Sequence, residues 1–355
     1  MAYALDTGCK PDTLITNYLA LGVRCMRKMA VRLRARPVGM PQASDWTIRH
    51  EEAAEPEAGE VLVAIRFVSV SPSIRSQMEA GGAYLPPLAI GEVARARAVG
   101  EVLKSRSPAF VPGDHVEGLL GTQSHFTGSA TGLTRIDPKV APLERYLGAL
   151  GMTGFTAYFG MLDIGRPESG ETVVVSGAAG AVGSIAGQIA KLKGCRVIGV
   201  AGGREKCAHV VGDLGFDDCI DHFDDRMGDR LGEAAPNGVD VYFDNVGGKV
   251  LDEVLLHLAL RARIPLCGGI AHYNSVGTLG LRNHLKLLET RGRLEGFSVY
   301  DYAARHLEAR DALAGWLAEG SIVTREHVEV GLERFPEALR MLFGGTQIGK
   351  LMVKV

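Results

Sequence analysis

The stretch from Glu171 to Lys206, ETVVVSGAAGAVGSIAGQIAKLKGCRVIGVAGGREK, constrains the chain more than any other. Thr172, Val173, Val174, Val175 and Ser176 form a short β-branched run of the kind that makes a fully buried parallel strand, and Gly177, Gly180 and Gly183 follow it. From Val182 the apolar positions Ile185, Ala186, Ile189, Ala190 and Leu192 fall at helical spacing, with Gly194 where a helix C-terminal glycine belongs. A second apolar strand from Arg196 to Val200 completes a β-α-β unit of about 30 residues. Such a turn suits phosphate, because bare backbone can approach a pyrophosphate and the helix start offers unpaired N–H groups. The same glycines could serve only close packing of helix on sheet. The order strand, glycine turn, helix, strand favours nucleotide binding.

The end of the second strand chooses the nucleotide. A carboxylate about 20 residues beyond the glycines would accept hydrogen bonds from a ribose 2′-hydroxyl. This chain has Val200, Ala201, Gly202 and Gly203 there, followed by Arg204 and Lys206. With no negative charge to repel it and two cations beside it, a 2′-phosphate is favoured, so NADP(H) is expected. The alternative for Arg204 and Lys206 is a pair of solvated charges opening the next helix.

At 355 residues the chain exceeds the size of one core, so two domains are the default. A net charge of −2 gives no electrostatic case for nucleic acid or an anionic membrane. Glycine, 46 of 355 residues, is about 13% against about 7% in typical proteins, which implies many tight turns. The six cysteines, Cys9, Cys25, Cys195, Cys207, Cys219 and Cys267, form no C-x-x-C pair and read as reduced thiols of a cytoplasmic protein. No apolar run is long enough to span a membrane, and residues 1–28 lack the features of a secretory signal. Met29 to Arg36 looks like a natural start, so residues 1–28 are expected to be a loosely attached extension.

Residues 29–148 carry short strands punctuated by glycine and proline, over Val61–Val68, Val99–Leu103 and His115–Glu117, which suggest a partly open β-barrel. Residues 149–315 alternate strands and helices in the doubly wound α/β pattern. The reading places a helix over Phe155–Leu162, strands over Cys219–His222, Val239–Phe243, Arg263–Cys267 and Leu294–Val299, and a helix over Val250–Leu260. Pro265 is a tension in its strand, since proline removes a ladder hydrogen bond. Residues 316–355 are expected to return to the first domain, with strands over Glu326–Val330 and Lys350–Val355 and a helix over Phe335–Leu342, leaving a cleft between the domains.

Several motifs carry a resemblance: Gly151-Met152-Thr153-Gly154-Phe155-Thr156-Ala157-Tyr158, Ala179 to Gly183, Gly194-Cys195-Arg196-Val197, Tyr242 to Gly248, Cys267 to Asn274 and Ile348-Gly349-Lys350. In this order and spacing the chain, from about Met29 to Val355, resembles the medium-chain dehydrogenase/reductase superfamily. Within it, the likeness is to the zinc-free branch of prostaglandin reductases, 2-alkenal reductases and curcumin reductase. The resemblance implies a Rossmann nucleotide-binding domain beside a GroES-like catalytic domain, and a homodimer joined through an edge of the nucleotide-domain sheet. It implies NADP(H) contacts at Gly180, Ala181, Val182, Gly183, Gly202, Lys206 and Asn245. Further contacts fall on Cys267, Gly268, Gly269, Ile270, Ala271, His272 and Tyr273, and on Phe297, Ser298 and Val299. Met152 and Thr156 would approach the nicotinamide, while His222 and Gln347 match contacting positions more weakly, the family usually having asparagine where this chain has Gln347.

Zinc-dependent relatives need Cys and His ligands in the first domain. Between His50 and His115 there is neither. The expected chemistry is therefore reduction of a carbon–carbon double bond already activated by a carbonyl, on a small-molecule enone or alkenal. Tyr273 is the candidate donor to the oxygen on which charge develops, with packing or loop anchoring as its alternative. At Ser71-Pro72-Ser73-Ile74-Arg75 the family commonly has Pro-Tyr-Met-Arg, so Ser73 replaces a pocket tyrosine. Arg75 agrees with the family, as a structural ion pair or as a substrate contact, and Tyr84 and Tyr300 are further pocket candidates. Quinone reduction, or a nucleotide-binding protein without catalysis, are the rival readings.

Overall fold

The computed structural model describes residues 26–81, 86–275 and 280–355. β1 (Arg27–Leu33) pairs antiparallel with β2 (Trp46–Glu52), Arg27 facing Glu52 and Leu33 facing Trp46. Strand pairing thus starts at Arg27, and the expected extension gives up Arg27 and Lys28 to this ladder. The apolar run predicted over Val61–Val68 is the middle of β3 (Glu60–Ser69), which leads into the short α1 (Ser73–Gln77). β4 (Ala98–Ser105), β5 (His115–Gly118), β6 (His125–Ser129) and β7 (Thr134–Ile136) complete the strands before residue 148.

After α2 (Met152–Phe159) come β8 (Thr172–Ser176), α3 (Ala181–Leu192), β9 (Arg196–Ala201), α4 (Arg204–Gly212) and β10 (Asp218–Asp221). They are followed by α5 (Met227–Ala234), β11 (Val239–Phe243), α6 (Gly248–Leu255), β12 (Leu258–Leu266), α7 (Leu285–Thr290) and β13 (Arg293–Gly296). Six strands make one parallel sheet in the order β10-β9-β8-β11-β12-β13. The chain direction across the sheet reverses between β8 and β11, the switch point at which α/β sheets hold ligands beyond the strand ends. Alternate residues of β8 serve opposite cores: Val173 and Val175 pack on one face, Val174 on the other. Both faces are covered, which is why the strand reads as an unbroken apolar run.

α8 (His306–Ala318) crosses back, and β14 (Glu326–Val330), α9 (Phe335–Gly344) and β15 (Lys350–Lys354) follow. β15 lies between β14 and the far end of β3, in a seven-stranded sheet with the path β14-β15-β3-β4-β5-β7. β6 pairs with the near half of β3, from Glu60 to Ala64. Gly349 makes the crossing: its N–H donates to Ala179 O at 2.8 Å, and its φ of +78° lies in the left-handed region.

Several element ends differ from expectation. The helix read over Val250–Leu260 stops at Leu255, because the Val239 N–H bonds His257 O and Leu258 enters register with Val239, starting β12 early. Pro265 sits inside β12 and keeps its carbonyl in the ladder, accepting from Asp244 N at 3.0 Å. The strand read over Leu294–Val299 ends at Gly296, since Ser298 caps a short 3-10 helix by accepting from Tyr300 N. The helix read over Phe155–Leu162 begins at Met152, and after Phe159 it widens into one π-helical stretch over Gly160–Gly165. There Gly160 admits the Phe297 ring, which an added Cβ would meet at 2.4 Å. β2 and α5 have no counterpart in the sequence reading because charged residues interrupt their few apolar positions.

Candidate functional site

A cleft of about 680 Å³ runs between the two large sheets. Its floor is the glycine turn after β8. Gly183 has no room for a side chain, since a Cβ would stand 2.3 Å from Gly177 O. Gly180 caps α3 with no side-chain acceptor, leaving the N–H groups of Ala181, Val182 and Gly183 without intrahelical partners at the cleft wall. That uncapped start is a site of partial positive charge. Asn245, from the turn after β11, is held beside it by donating to Ser176 O at 2.7 Å.

At one end of the cleft lie Gly202, Lys206 and His222. Burial pulls the Lys206 ammonium below the usual lysine range and His222 below the usual imidazole range. The nearby carboxylate of Asp221 accepts from the Gly203 and Phe223 N–H groups and lines a different hollow. Among the described residues lining the cleft, the one carboxylate is Glu117, held bidentate by Arg97 at 2.5 and 2.6 Å. Gln347, 8% exposed, donates only at 3.5 Å to Leu342 O, and its Oε1 has no partner in the protein. A helix start without caps, a cation whose neighbouring carboxylates Glu205 and Asp221 lie outside the cleft wall, and an orphaned acceptor suit the phosphates and hydroxyls of a phosphorylated dinucleotide.

Met152 and Thr156, from α2, line the same cleft as Cys267, Gly268, Ile270, Ala271, Tyr273 and Val299. Burial pushes the Cys267 thiol up to about 12, so it stays a neutral packing group. Burial also raises the Tyr273 phenol, partly countered by a backbone hydrogen bond from Gly269, so it remains protonated at neutral pH. Ser73 and Tyr300 also line the cleft, as does Ser71, whose hydroxyl lies 2.9 Å from that of Ser73. A pair of hydroxyls can share only one of its two protons internally, so one donor is left over.

Other sequence candidates fall outside the wall. Arg204 lines the second hollow rather than the cleft, its helix turn carrying it past the strand end. Arg75 is 2% exposed and lies behind the cleft, donating to Gly39 O, Asn274 Oδ1 and Glu79. It ties α1 to the loop carrying Tyr273. Gly269 and His272 back that loop, His272 Nε2 accepting from Gly248 N at 3.2 Å. Phe297 packs edge-on against Phe243, and Ser298 is the cap already described. Tyr84 lies outside the described residues.

The sequence places Lys350 in the Ile348-Gly349-Lys350 motif without giving it a role in the site. That lysine lines the cleft, is 6% exposed, and its Nζ donates to Ser69 Oγ at 2.7 Å and Val70 O at 2.9 Å. Among the described residues no carboxylate pairs with it, and burial pulls its ammonium down to about 7. A lysine followed by the apolar run Leu351-Met352-Val353 was the available signal. Among the described residues, no three or more His, Cys, Asp or Glu side chains converge as a metal would need.

Two family patterns match the chain: residues 29–136 fit the N-terminal domain of oxidoreductase, and residues 181–315 fit the domain called zinc-binding dehydrogenase. The NADPH-dependent curcumin reductase of Escherichia coli (strain K12) is 40% identical over 94% of this chain and 99% of its own. The 2-alkenal reductase (NADP(+)-dependent) of Nicotiana tabacum is 39% identical over 89% of this chain and 95% of its own. The crystal structure of CurA in complex with NADPH from Vibrio vulnificus superposes with a TM-score of 0.88 at 40% identity, covering 92% of this chain and 99% of that one.

Proposed function

Because the chain belongs to the zinc-free branch of the medium-chain dehydrogenase/reductase superfamily and is an NADP-dependent oxidoreductase acting on carbon–carbon double bonds, we propose that its substrates are α,β-unsaturated aldehydes and ketones. The observation that carries this reading is Tyr273: a protonated phenol in the wall of the cleft that Met152 and Thr156 also line. When bound, NADPH supplies the hydride.

The protein's part is placement and charge. The N–H groups opening α3 and its dipole hold the pyrophosphate, with Lys206 on the 2′-phosphate. Gln347 Oε1 accepts from a coenzyme hydroxyl or amide, which satisfies its otherwise orphaned oxygen. Tyr273 donates its hydroxyl proton in a hydrogen bond to the substrate's carbonyl oxygen, which gains negative charge as the β carbon is reduced. Arg75, through Asn274, fixes the loop from which Tyr273 projects. Ser71 and Ser73, in place of a bulky ring, give the substrate end a wider and more polar wall.

Assembly as a homodimer is part of the same proposal. β13 is an edge strand, and α7 beside it buries none of its residues and exposes Leu285 and Leu288. Cytoplasmic residence rests on four free thiols among the described residues, Cys195, Cys207, Cys219 and Cys267. No helix among the described residues is long and apolar enough to cross a membrane. The test follows NADPH absorbance against a panel of 2-alkenals, enones, quinones and simple alcohols. Fastest consumption is expected with 2-alkenals or enones. Turnover with quinones alone, or only after zinc is added, would overturn the proposal.

A further inference from the structure

Behind the turn that carries Lys206, a second hollow of about 410 Å³ opens between α4 and β10, with Arg204, Arg230, Cys207 and Cys219 in its wall. Neither cysteine is fully buried, and the chemistry above uses neither. Their sulfur atoms stand 2.9 Å apart, Cys219 donating to Cys207. That hydrogen bond holds the Cys207 thiol below the usual range, and a thiolate is the reactive form. Burial and the carboxylates of Asp221 and Asp218 oppose that lowering, and Arg204 and Arg230 share the wall with Asp221 and Asp224.

The two partners differ in freedom. Cys219 is fixed on β10 in register with Gly199 of β9, where an added Cβ would lie 3.3 Å from its sulfur and 2.7 Å from Val210. Cys207 rides on the opening turn of α4, which follows a left-handed Gly203 and has no side-chain cap. A disulfide of about 2.05 Å therefore closes by drawing the start of α4 toward the sheet, a movement of about 0.9 Å from the present 2.9 Å.

We propose that Cys207 and Cys219 are a modification site for hydroperoxides, which closes them into a disulfide and loosens the hold of Lys206 on the coenzyme. The Cys207 thiolate attacks one peroxide oxygen, the O–O bond breaks, and the departing alkoxide takes a proton from water, leaving a sulfenic acid on Cys207. The Cys219 sulfur then attacks Cys207; the S–S bond forms, the S–O bond breaks, and hydroxide leaves with the Cys219 proton as water. Two thiols lose two electrons, and the hydroperoxide becomes an alcohol and water. The half concerning Lys206 rests on the coenzyme reading given above, and the cross-link does not.

The purified full chain is treated with hydrogen peroxide near neutral pH, its remaining thiols are alkylated, and its peptides are mapped by mass. Binding of NADP+ is titrated by calorimetry before oxidation, after it, and after reduction with dithiothreitol. A peptide pair joined through Cys207 and Cys219 is expected, with Kd for NADP+ rising about tenfold, the loss of one charge-assisted contact, and returning on reduction. By linkage, saturating NADP+ lowers the ratio of cross-linked to reduced protein in a glutathione buffer by about the same factor. Cys219→Ser is expected to form no cross-link and to keep the reduced Kd under peroxide. Oxidation of Cys195 or Cys267 ahead of this pair, or a cross-linked protein with unchanged Kd, overturns the proposal. Failure of NADP+ to bind the reduced protein would instead sink the coenzyme reading, and the peptide map would still judge the cross-link.

Discussion

Replacing Lys350 with methionine keeps a flexible chain of similar length and removes its charge, which makes the charge's contribution measurable. Burial lowers the amine from 10.5 to about 7. The folded value lies below the unfolded one, so between about pH 7 and pH 10.5 the unfolded chain holds the extra proton and stability climbs as pH rises. Below about pH 7 the penalty is complete and constant. At about 1.4 kcal/mol per pH unit, wild type should gain about 3 kcal/mol relative to Lys350→Met between about pH 6.5 and about pH 9.5. The bonds to Ser69 Oγ and Val70 O favour the ammonium and return part of its cost, so that figure is a ceiling. Methionine also strips both oxygens of a donor, a loss of about 1–3 kcal/mol that does not vary with pH. Urea unfolding of both proteins across this range, without coenzyme, reads the difference directly. Parallel stability curves would refute the reasoning, because they would mean that the buried amine titrates alike in the folded and unfolded chains.

Tyr273→Phe should lower kcat on an enone roughly a hundredfold, by analogy with the loss of one oxyanion donor, while the Kd for NADPH stays put; equal turnover would remove the phenol from the reaction. Lys206→Ser should weaken NADPH roughly tenfold to a hundredfold, the range of a charge-assisted hydrogen bond, and leave NADH binding unchanged in the same fluorescence titration. Gly349→Ala places a Cβ 1.9 Å from Arg325 O at a φ of +78°. A loss of about 2–4 kcal/mol in urea unfolding is expected, and a wild-type midpoint would mean that this crossing is looser than drawn.

The parts legible in the sequence are those whose physics is local. Val173 to Val175 read as a buried parallel strand because both faces of their sheet are covered, and the glycine turn reads as tight because at Gly183 no side chain fits. Element ends were less legible where a distant partner decides them: the Val239 pairing, not helical periodicity, ends α6 at Leu255. Side-chain direction was the least accessible. Arg204 and Lys206 are two residues apart, yet they line different hollows. For Arg75 the sequence left a structural ion pair and a substrate contact both open; the guanidinium pairs with Glu79 and is taken up by Gly39 and Asn274, which only the tertiary fold brings together. Lys350 hydrogen-bonds a serine 281 positions away, and no window of sequence contains both.

The place of β15 has a consequence for how the protein is made. The strand fills a slot between β14 and β3, so a ribosome that has already released β3 must synthesise nearly the whole remaining chain before that slot is closed. Until then the far end of β3, from Phe67 to Ser69, waits with unpaired backbone groups. The nascent polypeptide thus carries an open strand edge through most of its translation, and that edge is where a holding chaperone would be needed.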